Sequence, residues 1–332
     1  MRILVVSSKG HGVGIGQRLR SEGHEVVLKG CVAGEGILPQ TAGSLRQIIE
    51  KKLDLVLAFG ARLGDLSAYF IDRGFPVIGS SPFSEMMEYN ESFRKAIVPY
   101  LMSEGDVVPI TNGIVYCGWF DGQAFVPRYY RGYAYKRLFP GDIGPLVACS
   151  GAVLGELPTR PEVFTPALER SLGAAKYVGV VVAHDETVSA FLYPGLTECM
   201  CVLLRQPLGV FFGNLVGHKA HIKESTDWAA AIHISLPPYP GPGAQKIAAG
   251  VRLQGSSFED PKGLKNLWLE DVKQTDSLQC AGTSGSLGFV TAHGRNPSEA
   301  IRRAYRCIDR IAVQDLQYRR DIGEAVQFLN SR

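Results

Sequence analysis

The stretch RILVVSSKGHGVGIGQRLRSE, residues 2–22, decides the class of fold. Residues 2–7 form an apolar run of the length of one buried strand; Gly10, Gly12, Gly14 and Gly16 follow, and residues 17–22 open a helix. A strand, a glycine turn and a helix start make a phosphate-cradling geometry, because backbone amides at a helix N-terminus point at whatever occupies the turn. Gly10 and Gly12 are therefore candidate substrate-binding positions. The spacing is not GxGxxG, and no acidic residue ends a second strand in position for a ribose, so a dinucleotide is not expected.

Outward from this stretch, residues 25–28, 55–59 and 76–78 read as strands and residues 43–51 and 66–73 as helices. Strands alternating with helices predict a parallel sheet covered on both faces. We expect a Rossmann-like α/β domain over residues 1–108, with a further helix over 84–102. Beyond it, residues 114–116, 124–128, 177–183 and 189–192 read as strands, Asp121-Gly122 as a hairpin turn, and 166–172 as a helix capped by Thr165. That pattern predicts an α+β domain over 109–236 with a predominantly antiparallel sheet. The cluster PPYPGPG at 237–243 marks a break before a small C-terminal α+β domain, 237–332. There, residues 288–291 predict a strand, and Asn296 opens a helix over 298–310 that buries Ala300, Ala304, Ile308 and Ile311.

The second region carries PRYYRGYAYKRLFPGDIGPLVACSG, residues 127–151. Tyr129, Tyr130, Tyr133 and Tyr135 interleave with Arg128, Arg131, Lys136 and Arg137, ahead of a turn-rich loop holding Asp142. Cations at this density suit a phosphorylated ligand, and rings between them suit stacking on a base or sugar. The same residues also fit an edge strand with a solvated basic face.

With 332 residues, 45% hydrophobic and 20% charged, the chain is neither a disordered tail nor a fibre. A net charge of +3 does not mark a dedicated nucleic-acid binder, so such a role would rest on a local patch. No run reaches the apolar length of a membrane span. Seven cysteines without CxxC predict reduced thiols and a cytoplasmic location, and zinc is not expected. His218, His221 and Glu224 have HxxHxxE spacing, read as a solvated helix face rather than a metal site. His184, Asp185 and Glu186 read as a polar turn, and Cys199 and Cys201 as packing residues.

The C-terminal block FVTAHG at 289–294, then Glu299-Ala300, Arg303-Ala304-Tyr305, Ile308-Asp309 and YRRDIG at 318–323, resembles the closing domain of the glycinamide ribonucleotide synthetase (phosphoribosylamine-glycine ligase) family of the ATP-grasp superfamily. The opening strand and glycine loop, residues 54–60 and 74–79, and Glu88 with Phe93 and Lys95 are similar more loosely. In the middle, Lys136-Arg137, Asp142, Gly144-Pro145 and Gly151-Ala152 fall on the family's K-R…D-x-G-P-N-T-G-G-M-G-A loop, which the resemblance places at the substrate site.

The departures are as informative. Between Pro109 and Ile114 the family would carry an ATP-binding subdomain, and only four residues stand there. Where the family holds magnesium, near residues 189–197, this chain reads AFLYP. Aliphatic and aromatic groups cannot replace the oxygen ligands of that ion. The resemblance with these losses predicts a truncated ATP-grasp-like central domain and an ATP-independent transferase that uses no cofactor. It would join a free amino acid to a phosphorylated or pyrophosphorylated acceptor, either a small molecule or DNA carrying an activated base. Asp142 would orient or deprotonate the amine; Lys136, Arg137, Arg319 and Arg320 would neutralise the leaving group; Gly144, Pro145 and Gly151 would line the pocket. Arg131 and Tyr130 would form the nucleic-acid surface. Arg319 and Arg320 fit equally a purely structural lock on the last segment. The alternatives are a ligase of the family's own kind and a non-catalytic binder of a phosphorylated ligand.

Overall fold

Strand β1 (Arg2–Ser7) lies inside a four-stranded parallel sheet with β2 (Glu25–Lys29), β3 (Leu55–Phe59) and β4 (Val77–Gly79), in the order β2-β1-β3-β4. The computed structural model describes residues 1–329 apart from 8, 31, 51, 61, 91–112, 185–186 and 260–264. Successive β1 side chains point to opposite faces. Ile3 and Val5 join a core with Val13, Ile15 and Leu19 of helix α1 (Val13–Ser21), whereas Leu4 and Val6 join another with Ile48 of α2 (Leu45–Ile49) and Phe70 of α3 (Gly64–Ile71). The Rossmann-like reading of the first domain thus holds. Ser44 caps α2, with Gln47 bonding back to its amide. The helix expected over 84–102 is α4 (Pro82–Tyr89) as far as it is described; the remainder, with Phe93 and Lys95, lies outside the described residues.

The second sheet has eight antiparallel strands, ordered β11-β14-β10-β7-β6-β5-β8-β9. They are β5 (Ile114–Phe120), β6 (Tyr129–Phe139), β7 (Ile143–Leu157), β8 (Gly179–His184), β9 (Thr187–Ala190), β10 (Trp228–Ser235), β11 (Leu267–Leu269) and β14 (Ser286–Gly294). Strands β12 (Val272–Gln274) and β13 (Leu278–Cys280) pair separately. On and between these lie helices α5 (Pro166–Ala174), α6 (Leu196–Leu203), α7 (Leu208–Val216), α8 (Ala244–Ala248), α9 (Ser256–Glu259) and α10 (Pro297–Ile308). Thr165 caps α5 and Asn296 caps α10, as their sequence positions imply.

Three expectations are corrected here. Residues 124–128 form no strand; the tyrosine-arginine run is itself strand β6. It pairs along most of its length with β7, so the loop expected over Pro140 to Pro145 is only a 3-10 turn at Pro140–Asp142. The break at 237–243 does not separate two sheets, because β10 before it and β14 after it are neighbours. And residues 218–224 continue no helix: α7 ends at Val216, and Glu224 pairs with Arg128 at 3.2 Å. Among the described residues no single helix is long and apolar enough to cross a membrane.

Candidate functional site

Where the parallel sheet meets the large one, the glycine turn after β1 brings His11 against the segment that leaves β11. Its Nδ1 lies 3.0 Å from Oε1 of Glu270. The other oxygen, Oε2, accepts a 2.6 Å hydrogen bond from the hydroxyl of Ser286, at the start of β14. That hydroxyl in turn lies 2.7 Å from Nε2 of His233 on β10. Since Ser286 gives its proton to the carboxylate, His233 donates through Nε2 and its Nδ1 carries the lone pair. This Nδ1 is buried without a partner. The ring is flanked by Tyr239 and Phe289, each at 5.0 Å.

Glu198, in the first turn of α6, completes the cluster. It is almost fully buried, and its Oε2 accepts the Gly195 amide at 2.5 Å. Gly195 has φ 83° and packs so closely on Cys149 and Phe289 that a side chain would collide with both. The electrostatics divide the two acids. Burial, reinforced by the charge of Glu270, pushes Glu198 up to about 7. Burial works in the same sense on Glu270, but the positive charge of His11 outweighs it and holds that carboxyl below its usual range. Burial opposes protonation of His11, and Glu270 reverses this and raises it. His233, with no such compensation, is driven down to about 4 by burial despite the attraction of Glu270. The result is an ionised His11–Glu270 pair beside a neutral histidine and a carboxyl poised near neutrality, the arrangement that suits general acid–base work. His11 is the exposed edge, with 23% of its side chain accessible against 5% for Glu270.

The neighbouring Asp271 has a separate role. Its oxygens accept the amides of Thr283, Ser284 and Gly285 at 2.7–2.9 Å, and Thr283 Oγ1 reaches the Lys9 carbonyl at 3.3 Å. The carboxylate thereby pins the strand entry at Ser286 to the glycine turn. Gly10 shows why glycine is required in that turn: φ is 87°, and a Cβ would stand 2.3 Å from the Glu270 carbonyl oxygen. Gly10→Ala is expected to cost about 2 kcal/mol or more through left-handed strain and overlap with backbone, measured by urea unfolding. Gly12 is equally filled, by the ring of Phe59 at 2.5 Å. Both glycines therefore serve close packing of the turn.

The residues singled out from the sequence scatter around this cluster. Lys136 bonds the Tyr193 hydroxyl and lies 4.5 Å from that ring; its charge and that of Glu198 both act on the Cys149 thiol, which burial pushes up to about 12. Arg137 is exposed and donates to the Gly144 carbonyl at 2.8 Å within the hairpin. Gly144, with φ 83°, turns at the tip under Phe139, and Pro145 is exposed beside it. Gly151 lies under Ile322, 2.4 Å from where a Cβ would be. Arg131 is part-buried, 6.0 Å from the Tyr116 ring. Tyr130 is fully buried and so offers no face to a base, which removes the expected stacking surface. Asp142 is 59% exposed and accepts from Arg319 at 2.7 Å, so its described partner is structural. Arg319 is 1% exposed and also pairs with Asp321, whereas Arg320 is exposed, 5.6 Å from the Tyr318 ring. Glu198, His233, Tyr239, Glu270 and Ser286 were not among them. For Glu198, His233 and Glu270 the signal was a charged or titratable group set in or directly after an apolar run, as in LTECMCVLL, AAAIHIS and LWLED; Tyr239 and Ser286 carried none.

No protein-family model and no curated protein sequence matches the chain. Solved structures do. Phosphoribosylamine–glycine ligase from Thermotoga maritima aligns over 97% of this chain and 100% of its own with TM-score 0.68 and 14% identity. The biotin carboxylase domain of a single-chain bacterial carboxylase covers 99% and 92% with TM-score 0.57 and 10% identity. N5-carboxyaminoimidazole ribonucleotide synthetase from Thermotoga maritima covers 94% and 99% with TM-score 0.55 and 9% identity. The chain has the ATP-grasp fold. Within this ATP-grasp frame the expectation of a transferase is overturned, since these neighbours are named ligase, carboxylase and synthetase. No observation supports DNA as an acceptor, and burial of Tyr130 and Tyr135 removes the ladder of rings on which that expectation rested.

The ATP-grasp fold implies a nucleotide with magnesium. In the segment 188–193, Val188, Ala190, Leu192 and Tyr193 are buried apolar or aromatic groups. Among the described residues no group of three or more His, Cys, Asp or Glu could hold a metal. Glu198 and Glu270 are committed to backbone and side-chain partners. The described residues do not fit a magnesium ion, which needs several oxygen ligands.

Proposed function

We propose that this chain is a divergent carboxylate-amine ligase of the phosphoribosylamine-glycine ligase kind, acting on an anionic, phosphate-bearing substrate and an amine. The observation that carries the reading is the buried His11–Glu270 ion pair beside Glu198, inside a fold shared along its length with that ligase. Amide formation requires a nitrogen lone pair to attack an activated acyl carbon, with expulsion of the leaving group and loss of one N–H proton. Glu198, balanced near neutrality, accepts that proton at Oε1 or Oε2 and later releases it to solvent. His11, cationic and partly exposed, orients an anionic substrate group at the mouth, and Glu270 with Ser286 and His233 keeps its imidazole charged and fixed.

A non-catalytic ligand holder is the second reading, favoured by the apolar wall at Val188–Tyr193 where oxygen ligands would be needed. One experiment separates them: incubation with ATP, magnesium, phosphoribosylamine and a panel of amino acids, read by phosphorus NMR. The ligase reading expects ADP and phosphate only when amine and carboxylate are both present. Glu198→Gln is expected to lower kcat about 100-fold or more with KM nearly unchanged, and the wild-type kcat/KM to rise with pH through about 7. No nucleotide turnover with any pair, alongside tight binding of a phosphorylated ligand, would establish the holder instead.

A further inference from the structure

At the C-terminal end of α6 the structure holds a hollow of about 690 Å³, bounded by α1, the α6–α7 turn, β11 and β14. A volume of this order accommodates a small organic molecule. Its charges are lopsided. Arg18, Arg205 and Lys265 face it, against a single carboxylate, Glu22. Glu22 is already committed, since its two oxygens accept the Leu208 and Gly209 amides at 2.8 Å each, at the start of α7. Arg18 stacks on Trp268 at 3.5 Å, gives one terminal nitrogen to the Lys265 carbonyl, and leaves its Nε buried with no hydrogen-bond partner. An unsatisfied, buried guanidinium N–H is costly unless an acceptor meets it. Arg205 holds φ at 50°, a strained value for this residue, while pairing with Asp227. The remaining lining is largely apolar, including Val202 and Leu208.

Crowded cations leave a further trace. Burial, and then the charges of Arg205 and Arg303, hold His293 at the rim below its ordinary value, and burial brings Arg18 down to about 10. Among the described residues that line the hollow, three cations thus face one carboxylate.

We propose that this hollow binds a small organic anion, a phosphate or carboxylate head on an apolar body, with Arg18 and Lys265 taking the head and the Val202–Leu208 wall taking the body. The site is separate from the acid–base cluster, since none of His11, Glu198 or Glu270 lines it. It adjoins that cluster through α6, where Cys201 lies three residues beyond Glu198.

The test titrates the whole protein with phenyl phosphate by calorimetry. Saturable binding is expected, weakened about tenfold or more by Lys265→Glu, which changes an exposed residue and spares the core. Lys223→Glu, an exposed lysine away from the hollow, should leave the affinity unchanged. Benzyl alcohol, of similar body without the charge, and inorganic phosphate, the head alone, should each bind at least about tenfold more weakly. Heat that does not saturate at millimolar phenyl phosphate, or an affinity indifferent to Lys265→Glu, would overturn the assignment. Because the outcome is read as binding, it stands or fails independently of nucleotide turnover.

Discussion

Arg319→Met is expected to destabilise the protein by about 3–5 kcal/mol, the penalty for breaking a buried ion pair by removing one member. The guanidinium is 1% exposed and bonds Asp321 through two nitrogens, Asp142 at 2.7 Å and the Arg137 carbonyl at 3.0 Å, with the Tyr135 ring 4.5 Å away. Its own backbone carbonyl accepts the Tyr305 hydroxyl at 2.9 Å, and the Ile322 and Gly323 amides reach Tyr305 and Tyr135 at 3.1 and 2.8 Å. One cation therefore ties the final segment to the β6–β7 hairpin, and its loss strands Asp321 in a part-buried site. Asp142→Ala removes only the exposed partner and is expected to cost less than about 1 kcal/mol. Urea unfolding of the two variants checks both numbers. A change of under 1 kcal/mol for Arg319→Met would show that the lock is ornamental.

The second large effect is a pH dependence with two opposing limbs. Folding favours neutral His233, moved by burial from 6.5 to about 4; this contribution is complete above pH 6.5 and is lost as pH falls toward 4. Folding favours protonated Glu198, moved by burial and by Glu270 from 4.5 to about 7; this contribution is complete below pH 4.5 and is lost as pH rises to 7. At about 1.4 kcal/mol per pKa unit each limb is worth about 3 kcal/mol, and between pH 4.5 and 6.5 they cancel. The wild type should thus be nearly flat there. In Glu198→Gln only the histidine limb remains, and stability should climb by about 3 kcal/mol from pH 4 to 6.5. His11, raised by Glu270, adds a loss above pH 6.5 to both proteins, so the difference between the two curves is the quantity to measure. Parallel curves for the two proteins would refute the assignment of Glu198 as the alkaline limb.

The first sheet was legible because its signals are local. Apolar strands alternating with helical segments fix β1 to β4 and α1 to α3 within short windows, and the Asn296 cap fixes α10 just as directly. The hairpin of β6 and β7 was misread because two prolines and two glycines at 140–145 signal a longer loop, whereas cross-strand pairing continues as far as Phe139 opposite Ile143. The acid–base cluster was not legible as a cluster, although Glu198 and His233 each stand out in an apolar run. His11, Glu198, His233, Glu270 and Ser286 come from five separate points of the chain, and only the sheet order that sets β14 between β10 and β11 brings the last three together. Arg319 shows a use left open by sequence: an arginine in YRRDIG fits a ligand or a lock, and in the structure it is buried and paired with Asp142 and Asp321.

The neighbourhood of β10 and β14 has a consequence for biosynthesis. Strand β10 can pair with β7 as soon as both have left the ribosome, but its other edge waits for β14, about fifty residues later. Until then the nascent chain presents a long, apolar and unprotected strand border, an invitation to pair with a neighbour. Synthesis that pauses anywhere in that interval should leave a species dependent on chaperones, although the finished molecule has no such need.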